Sequence, residues 1–177
     1  IKKLVYDDKT ITMKQLVEAV AANWEGYEDI QNMCKKAPKY GNDDDYVDLL
    51  GRQLHADFAE IHNRRPDYMG RPTITPSAYS VTGHYPFGMR SWASPDGRKA
   101  GETFTDATLS ATPGTDTSGP TAVIHSAVKL IDPVVYGSTH FNMKFHPTAL
   151  TGKENIDKFL TLLKTYFDEG GYQAQFN

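Results

Sequence analysis

The sequence predicts an α/β fold in which a mainly helical part, residues 1–66, precedes a β-α-β-α-β order over residues 67–177. Two observations lead to this prediction. Apolar residues recur at helical spacing before Pro66, whereas β-branched and aromatic residues alternate with period two after Pro72. Strands and helices then take turns, which favours parallel pairing through right-handed crossovers. Three strands cannot close a barrel, so we expect strands outside this segment to complete the sheet.

The composition limits the classes of protein to consider. The chain has 177 residues, 39% hydrophobic and 23% charged, as in one globular unit or a piece of a larger one. Its net charge is −3 with both signs interspersed, so we expect no nucleic-acid partner. No apolar run approaches the roughly 20 residues of a membrane span, and the start carries no signal pattern. We therefore expect a cytoplasmic protein without a membrane partner.

The helical part contains three predicted helices. Thr12 and Gln15 have capping-box spacing and start a helix over 12–24 that ends at Gly26. The elements that follow are a helix over 27–36, stopped by Pro38, and a helix over 44–64 capped by the aspartates at 43–45. The third helix carries an apolar stripe formed by Val47, Leu50, Leu54, Phe58 and Ile61. Residues 1–9 are left open, as a strand or an irregular lead-in.

The second part has clearer alternation. It begins with a predicted strand over 73–82 and a long connection over 83–119 with little secondary structure. A helix over 120–131 starts at Pro120, and a strand over 138–145 follows it. The last helix starts with a Thr151–Glu154 capping box and ends at Gly170-Gly171, and a final strand starts near Tyr172. The chain stops inside that last alternating run and starts without methionine, so we expect a segment of a longer polypeptide.

Few residues carry a recognisable chemistry on their own. Ser94–Arg98 has the composition of a tight turn, and a structural role is the simpler interpretation. The histidines, including His140 and His146 around a strand, lack a carboxylate at ligand spacing, so we expect no metal site. Cys34, the single cysteine, lies on an apolar helix face and is interpreted as a buried, inert thiol. Unaided, these residues do not name a reaction.

Four stretches together are more informative. In order and spacing they resemble the C-terminal half of glycyl radical enzymes of the pyruvate formate-lyase family. The stretches are 37–48 (APKYGNDDDYVD), 93–101 (ASPDGRKAG), 114–122 (GTDTSGPTA) and 163–177 (LKTYFDEGGYQAQFN).

The resemblance implies that this segment is part of a roughly ten-stranded α/β barrel. It also implies a buried glycyl radical, installed by a separate S-adenosylmethionine-dependent iron–sulfur activase, and a thiyl cysteine that abstracts hydrogen from a small-molecule substrate. We expect that cysteine upstream of Ile1 and the radical glycine downstream of Asn177, so the segment alone should be inactive. The full-length chain is expected to be a homodimer that meets its activase as a partner.

Radical chemistry needs a dry, closed cavity, and the strand over 73–82 is suited to line one. By resemblance, Tyr79 and Val81 contact the substrate, Ala93 is a weaker third contact, and Thr148 is a further wall residue. Tyr79 could instead be ordinary barrel packing whose hydroxyl bonds to backbone.

The function that the resemblance favours is a lyase acting on a small organic substrate by decarboxylation, dehydration or related carbon–heteroatom cleavage. A formate-lyase proper is less favoured, because its matching strand tends to be more aliphatic. Two alternatives stay open at this point. One is a synthase that joins a hydrocarbon to fumarate, and the other is a catalytically silent binding or assembly module that kept the half-barrel.

Overall fold

The computed structural model describes residues 1–63, 65–71, 77–78, 82–131 and 138–176. They belong to two compact units, the first made of 1–39 and 82–104 and the second of 40–81 and 105–177. The helices are α1 (Met13–Ala21), α2 (Glu28–Lys36), α3 (Asp45–Asn63), α4 (His84–Met89), α5 (Pro120–Leu130) and α6 (Lys153–Asp168). The strands are β1 (Ser77–Ala78), β2 (Ser138–Thr139), β3 (Asn142–Met143) and β4 (Gln175–Phe176). Within the described ranges, no helix has the length and apolarity of a membrane span.

The first unit confirms the predicted capping box of α1. The Thr12 hydroxyl accepts from the Gln15 N–H at 3.2 Å, and Gln15 Oε1 accepts from the Thr12 N–H at 2.9 Å. The helix ends at Ala21, earlier than predicted, because Asn23 and Trp24 adopt positive φ angles of 51° and 71°. This reversal turns the Trp24 side chain into the core, where it is 1% exposed.

The start of the chain is neither of the two predicted forms. Lys2–Asp7 is a π-helical turn, and the Leu4 carbonyl accepts from the N–H groups of both Thr10 and Ile11. The Leu4 side chain is buried in the first unit together with Ile11 and Leu16. The chain therefore folds back on itself to bury one leucine instead of extending as a strand.

In the second unit, Asp44 caps α3 as predicted, with its Oδ1 accepting from the Tyr46 N–H at 3.0 Å. The apolar stripe of α3 behaves differently from a core-facing stripe. Leu50, Leu54, Phe58 and Ile61 are between 49% and 67% exposed. Residues Asp48 and Ala59 of the same helix are buried instead.

The β-α-β-α-β order with parallel pairing is confirmed among the described strands. Ser77 pairs with Ser138 across β1 and β2, and Asn142 pairs with Gln175 across β3 and β4. The single strand predicted over 138–145 is wrong, because its two halves join different sheets. The partners change at its centre, where the His140 carbonyl accepts from Leu109 N–H and the Phe141 carbonyl from Gln175 N–H.

The connection over 83–119 has little secondary structure, as predicted. Its one helix is the short α4, in which Gly88 packs so closely that a Cβ would lie 2.5 Å from Thr103 Cα.

One further prediction is wrong, because the Thr151–Glu154 capping box does not form. Thr151 Oγ1 donates to the Thr148 carbonyl at 2.7 Å, because residues Pro147–Leu150 make a 3-10 turn, and Gly152 precedes α6 without a side-chain cap.

The helix ends in this part of the chain are confirmed. Pro120 stands at the first position of α5, where its missing N–H costs no helical hydrogen bond. Gly170, with a φ of 98°, follows the end of α6. The core of the second unit lies between these two helices and β3, and it consists of Leu109, Val123, Ile124, Ala127, Leu130, Phe141, Met143, Leu162 and Tyr166.

Candidate functional site

The Ser94–Arg98 stretch forms the predicted tight turn in the first unit. The Gly97 N–H donates to the Ser94 carbonyl at 3.0 Å, and the Ser94 N–H donates to the Arg98 carbonyl at 3.1 Å. Side chains from the helical part hold the turn from outside: Trp24 Nε1 donates to the Arg98 carbonyl at 2.9 Å and Gln31 Nε2 to the Gly97 carbonyl at 2.8 Å. These contacts give the turn a structural role.

The Arg98 guanidinium is also used inside this loop. It donates to the Glu102 carbonyl at 2.6 Å, to the Lys99 carbonyl at 3.2 Å and to the Trp92 carbonyl, and it lies 4.6 Å from the centre of the Phe104 ring. A guanidinium with its N–H groups bound in this way is poorly placed to recognise a ligand.

Ala93 and Cys34 share the core of the first unit. Ala93 is 8% exposed and Cys34 is 2% exposed, in a cluster with Leu16 and Trp24. Burial raises the pKa of the Cys34 thiol, which disfavours the thiolate that a nucleophile needs. The cysteine therefore has the surroundings of a packing residue.

In the second unit, residues 40–42 hold the loop over 109–118. Asn42 Oδ1 accepts from the N–H groups of Thr117 at 2.8 Å and Ser118 at 3.0 Å, and its Nδ2 donates to the Thr115 carbonyl at 2.7 Å. The Tyr40 hydroxyl donates to the Leu109 carbonyl at 2.7 Å. Two of the four stretches behind the resemblance are thereby joined through hydrogen bonds.

Directly after Asn42, aspartates of residues 43–48 form an ionic cluster with Lys129. Lys129 Nζ lies 2.6 Å from Asp43, 2.7 Å from Asp45 and 3.4 Å from Asp48. Burial opposes the ammonium charge, but the three carboxylates outweigh it and raise the pKa of Lys129. The predicted capping role is therefore filled by Asp44, while the aspartates on either side of it bind Lys129.

Two α5 side chains complete the cluster. Ser126 Oγ donates to Asp48 Oδ2 at 2.8 Å and accepts from the Asp43 N–H at 2.9 Å. His125 lies between Asp43, at 3.0 Å, and Glu169, at 3.4 Å. Hydrogen bonds from Lys129 and His125 lower the pKa of Asp43, whereas burial raises the pKa of Asp48. The sequence analysis does not predict that Lys129 binds these aspartates. The one signal for it is that a basic residue stands in the last turn of the predicted helix over 120–131.

A cavity of about 950 Å³ lies beside the hydrophobic core of the second unit and within that unit. Its walls are the end of β3, the first turn of α5, the 3-10 turn and α6. Phe145 and Phe159 line it and meet edge to face at 5.5 Å. Its lysines are paired, Lys144 with Asp106 at 3.0 Å and Lys158 with Glu154 at 2.7 Å. The lining of the cavity thus combines aromatic side chains with two paired lysines.

The predicted site residues are distributed as follows. Thr148 is exposed in the 3-10 turn, with its Oγ1 2.8 Å from Nδ1 of His146, which lines the cavity. Ala93 belongs to the core of the other unit. Tyr79 and Val81 lie outside the described residues. Among the side chains that the structure places, no group of three His, Cys, Asp or Glu is arranged to hold a metal ion.

Comparison with known proteins gives two adjacent family matches. The model for pyruvate formate lyase-like proteins matches residues 1–88, and the model for the glycine radical domain matches residues 105–177. The chain belongs to the pyruvate formate-lyase family of glycyl radical enzymes. It forms part of an α/β barrel of that type.

Individual members of the family resemble the whole chain. It is 38% identical to indoleacetate decarboxylase of Tractidigestivibacter scatoligenes and 39% identical to trans-4-hydroxy-L-proline dehydratase of Clostridioides difficile. It superposes on B12-independent glycerol dehydratase of Clostridium butyricum with a TM-score of 0.91 and 37% identity, over 99% of this chain. The chain spans 22% to 23% of the length of these relatives, and each sequence match covers all of it.

Proposed function

We propose that this chain is part of a glycyl radical lyase that cleaves a carbon–carbon or carbon–heteroatom bond of a small organic substrate. The reaction is a decarboxylation or a dehydration that begins with hydrogen abstraction by a thiyl radical. The observation that supports this most is the pair of family matches, which together extend over residues 1–88 and 105–177. Similar proteins named as a decarboxylase and dehydratases favour the lyase over other members of the family.

The proposal assigns the radical machinery to other parts of the enzyme. A glycyl radical, installed by a separate S-adenosylmethionine-dependent iron–sulfur activase, supplies the hydrogen-abstraction chemistry. Cys34 does not fit the thiyl role, because it is 2% exposed in a packed cluster. We further propose that the full-length enzyme is an anaerobic, cytoplasmic homodimer and that this segment binds no metal.

This segment shapes the substrate cavity and excludes water from it. Tyr79, Val81, Ala93 and Thr148 are the proposed wall residues. An enclosed wall excludes water from a reactive intermediate and holds the substrate in one orientation.

The radical is tested on the full-length protein. Anaerobic incubation with the activase, S-adenosylmethionine and a reductant should produce a doublet in the electron paramagnetic resonance spectrum. A parallel sample without S-adenosylmethionine should be silent. Absence of the doublet after verified activase turnover would overturn the proposed function.

The wall is tested at Tyr79. Tyr79→Phe removes one hydroxyl and should alter turnover or substrate preference while the radical yield stays the same. Tyr68→Phe is the matched control, because Tyr68 is 95% exposed. Equal kinetics for Tyr79→Phe and the control would assign Tyr79 to barrel packing.

A further inference from the structure

Two acidic residues stand at the C-terminal end of α6, where a negative charge is unfavourable. Asp168 is the last residue of the helix and Glu169 is its C-cap. This end carries the negative pole of the helix dipole, so a carboxylate there is stabilised by a positive partner. Asp168 has one in Lys164 of the same helix, at 2.9 Å. Glu169 has one on another helix, because Nε2 of His125 in α5 lies 3.4 Å from its Oε1.

The imidazole of His125 has a carboxylate beside each ring nitrogen. Nδ1 lies 3.0 Å from Asp43 Oδ2, on the side opposite to Glu169. A neutral imidazole has one N–H and one lone pair, whereas the imidazolium has two N–H groups. In the neutral form that donates to Asp43, the Nε2 lone pair faces the Glu169 carboxylate and repels it. The imidazolium attracts both carboxylates.

The other charged groups around His125 do not replace its charge at Glu169. Lys129, one turn further along α5, is bound by the three aspartates of residues 43–48 that form the ionic cluster. Among the described residues, Glu169 has no ion-pair partner other than His125. The side chains of His125, Asp43 and Glu169 are 33% to 41% exposed, so the imidazole exchanges its proton with solvent.

The last turn of α6 also builds the turn that leads into β4. The Gly171 N–H donates to the Tyr166 carbonyl at 2.8 Å, and the Tyr166 hydroxyl donates to the Gln173 carbonyl at 2.8 Å. The Gln175 N–H then donates to the Phe141 carbonyl at 2.8 Å and begins the pairing with β3. A loosening of the last turn of α6 is therefore passed on to the entry into β4.

We propose that His125 is a pH-sensitive switch at the end of α6. As the imidazolium it binds the Glu169 carboxylate and holds the last turn of the helix, and as the neutral imidazole it releases Glu169 and loosens the entry into β4. Histidine is the side chain that ordinarily changes its charge between about pH 5 and 8. The contact is thus present at the lower pH and lost as the pH rises. This inference does not rest on the proposed function.

The test is hydrogen–deuterium exchange of the full-length enzyme, read by mass spectrometry on peptides that cover residues 166–176, at about pH 6 and about pH 8.5. In His125→Asn the amide N–H takes the place of Nδ1 and keeps the contact with Asp43, while Nε2 and the charge are removed. Dividing the variant's rates by the wild-type rates at the same pH cancels the intrinsic pH dependence of exchange. We expect a ratio of roughly 2 to 5 at the lower pH and about 1 at the higher, as suits a partly exposed ion pair.

Lys164→Gln is the matched control, because it removes the pair with Asp168 at the same helix end. A lysine ammonium stays charged over this pH range, so the exchange ratio of this variant should be the same at both pH values. The partner is tested in a Glu169→Gln background, where His125→Asn should leave exchange at the lower pH unchanged. Glu169→Gln alone removes an attraction at the lower pH and a repulsion at the higher, so its ratio should be larger at the lower pH.

Four outcomes would overturn the switch. Equal ratios above 1 at both pH values for His125→Asn assign the imidazole to packing. A ratio of 1 at both values means that the contact with Glu169 contributes nothing. An effect of His125→Asn that persists in the Glu169→Gln background means that Glu169 is not the partner. A pH-dependent ratio for Lys164→Gln means that the end of α6 responds to pH through another group.

Discussion

Helices α3 and α5 pack against each other in the second unit, yet they bury opposite kinds of side chain. On α5 the buried residues are Val123, Ile124, Ser126, Ala127 and Leu130, as expected of an amphipathic helix. On α3 the large apolar residues are exposed, and Asp48 and Ala59 are buried. Gly51 lies close to α5, since a Cβ there would be 3.0 Å from Leu130.

The difference shows what hydrophobic periodicity does and does not determine. The spacing of the α3 stripe identifies an apolar face of the helix, but it does not show which neighbouring element covers that face. The side of α3 that packs against α5 carries small and polar residues, and Asp48 on that side forms an ion pair with Lys129 of α5. A helix with one apolar side and one small, polar side is suited to lie between two layers.

The largest expected effect comes from truncating one side chain on each helix. Ile124→Ala removes a fully buried side chain of α5 and should lower the free energy of unfolding of this chain by about 2–5 kcal/mol. Leu54→Ala on α3, where the side chain is 67% exposed, should change it by less than about 0.5 kcal/mol. Chemical denaturation followed by circular dichroism measures both.

The same pair of variants in the full-length enzyme sharpens the comparison. If another layer covers the α3 stripe there, Leu54→Ala should become destabilising by about 2 kcal/mol or more. A small cost in both settings would show that the stripe stays exposed.

A smaller effect is expected at the junction that places α3 beside the 109–118 loop. Gly41 has a φ of 96°, and a Cβ on it would lie 2.6 Å from Ala111 Cβ, so Gly41→Ala combines backbone strain with a clash. We expect a loss of about 2–4 kcal/mol in the free energy of unfolding.

Gly114 provides the matched control for this substitution. It has a φ of 81° but nothing within 4 Å of an added Cβ, so Gly114→Ala should cost about 1–2 kcal/mol from strain alone. Equal losses at both glycines would mean that the close approach to Ala111 contributes nothing.

Local signals in the sequence were reliable where a short segment decides its own structure. The Thr12–Gln15 box, the Asp44 cap and Pro120 at the start of α5 are all confirmed. The Thr151–Glu154 box is wrong because a neighbouring turn binds the Thr151 hydroxyl first. In both capping boxes, neighbouring groups compete for the threonine hydroxyl: Thr12 keeps its cap, whereas Thr151 donates to the Thr148 carbonyl instead.

Contacts between distant residues were beyond sequence reasoning. The strand over 138–145 divides because Leu109 and Gln175 approach adjacent carbonyls, and neither partner is visible in the strand itself. The ionic cluster likewise joins residues 43–48 to Lys129. Of the candidate site, the turn at Ser94–Arg98 is confirmed, whereas the substrate contacts at Tyr79 and Val81 stay predictions because they lie outside the described residues.

The smallest expected effect is a pH dependence from the ionic side of α3. Asp43→Asn keeps the size of the side chain and its tolerance of the φ of 57°, but it removes the charge that Lys129 and His125 contact. Because those hydrogen bonds lower the pKa of Asp43 in the folded state, its stabilisation is present above the unfolded pKa of about 3.8 and is lost as the pH falls through the folded value.

The stability difference between wild type and Asp43→Asn should therefore be about 0.5–1 kcal/mol at pH 6 and shrink towards pH 3. Asp48 has a raised pKa and the opposite pH dependence, but it is present in both proteins and largely cancels in the difference. Thermal denaturation at a series of pH values measures this difference directly. A difference that stays constant down to pH 3 would mean that Asp43 acts through hydrogen-bond geometry and not through its charge.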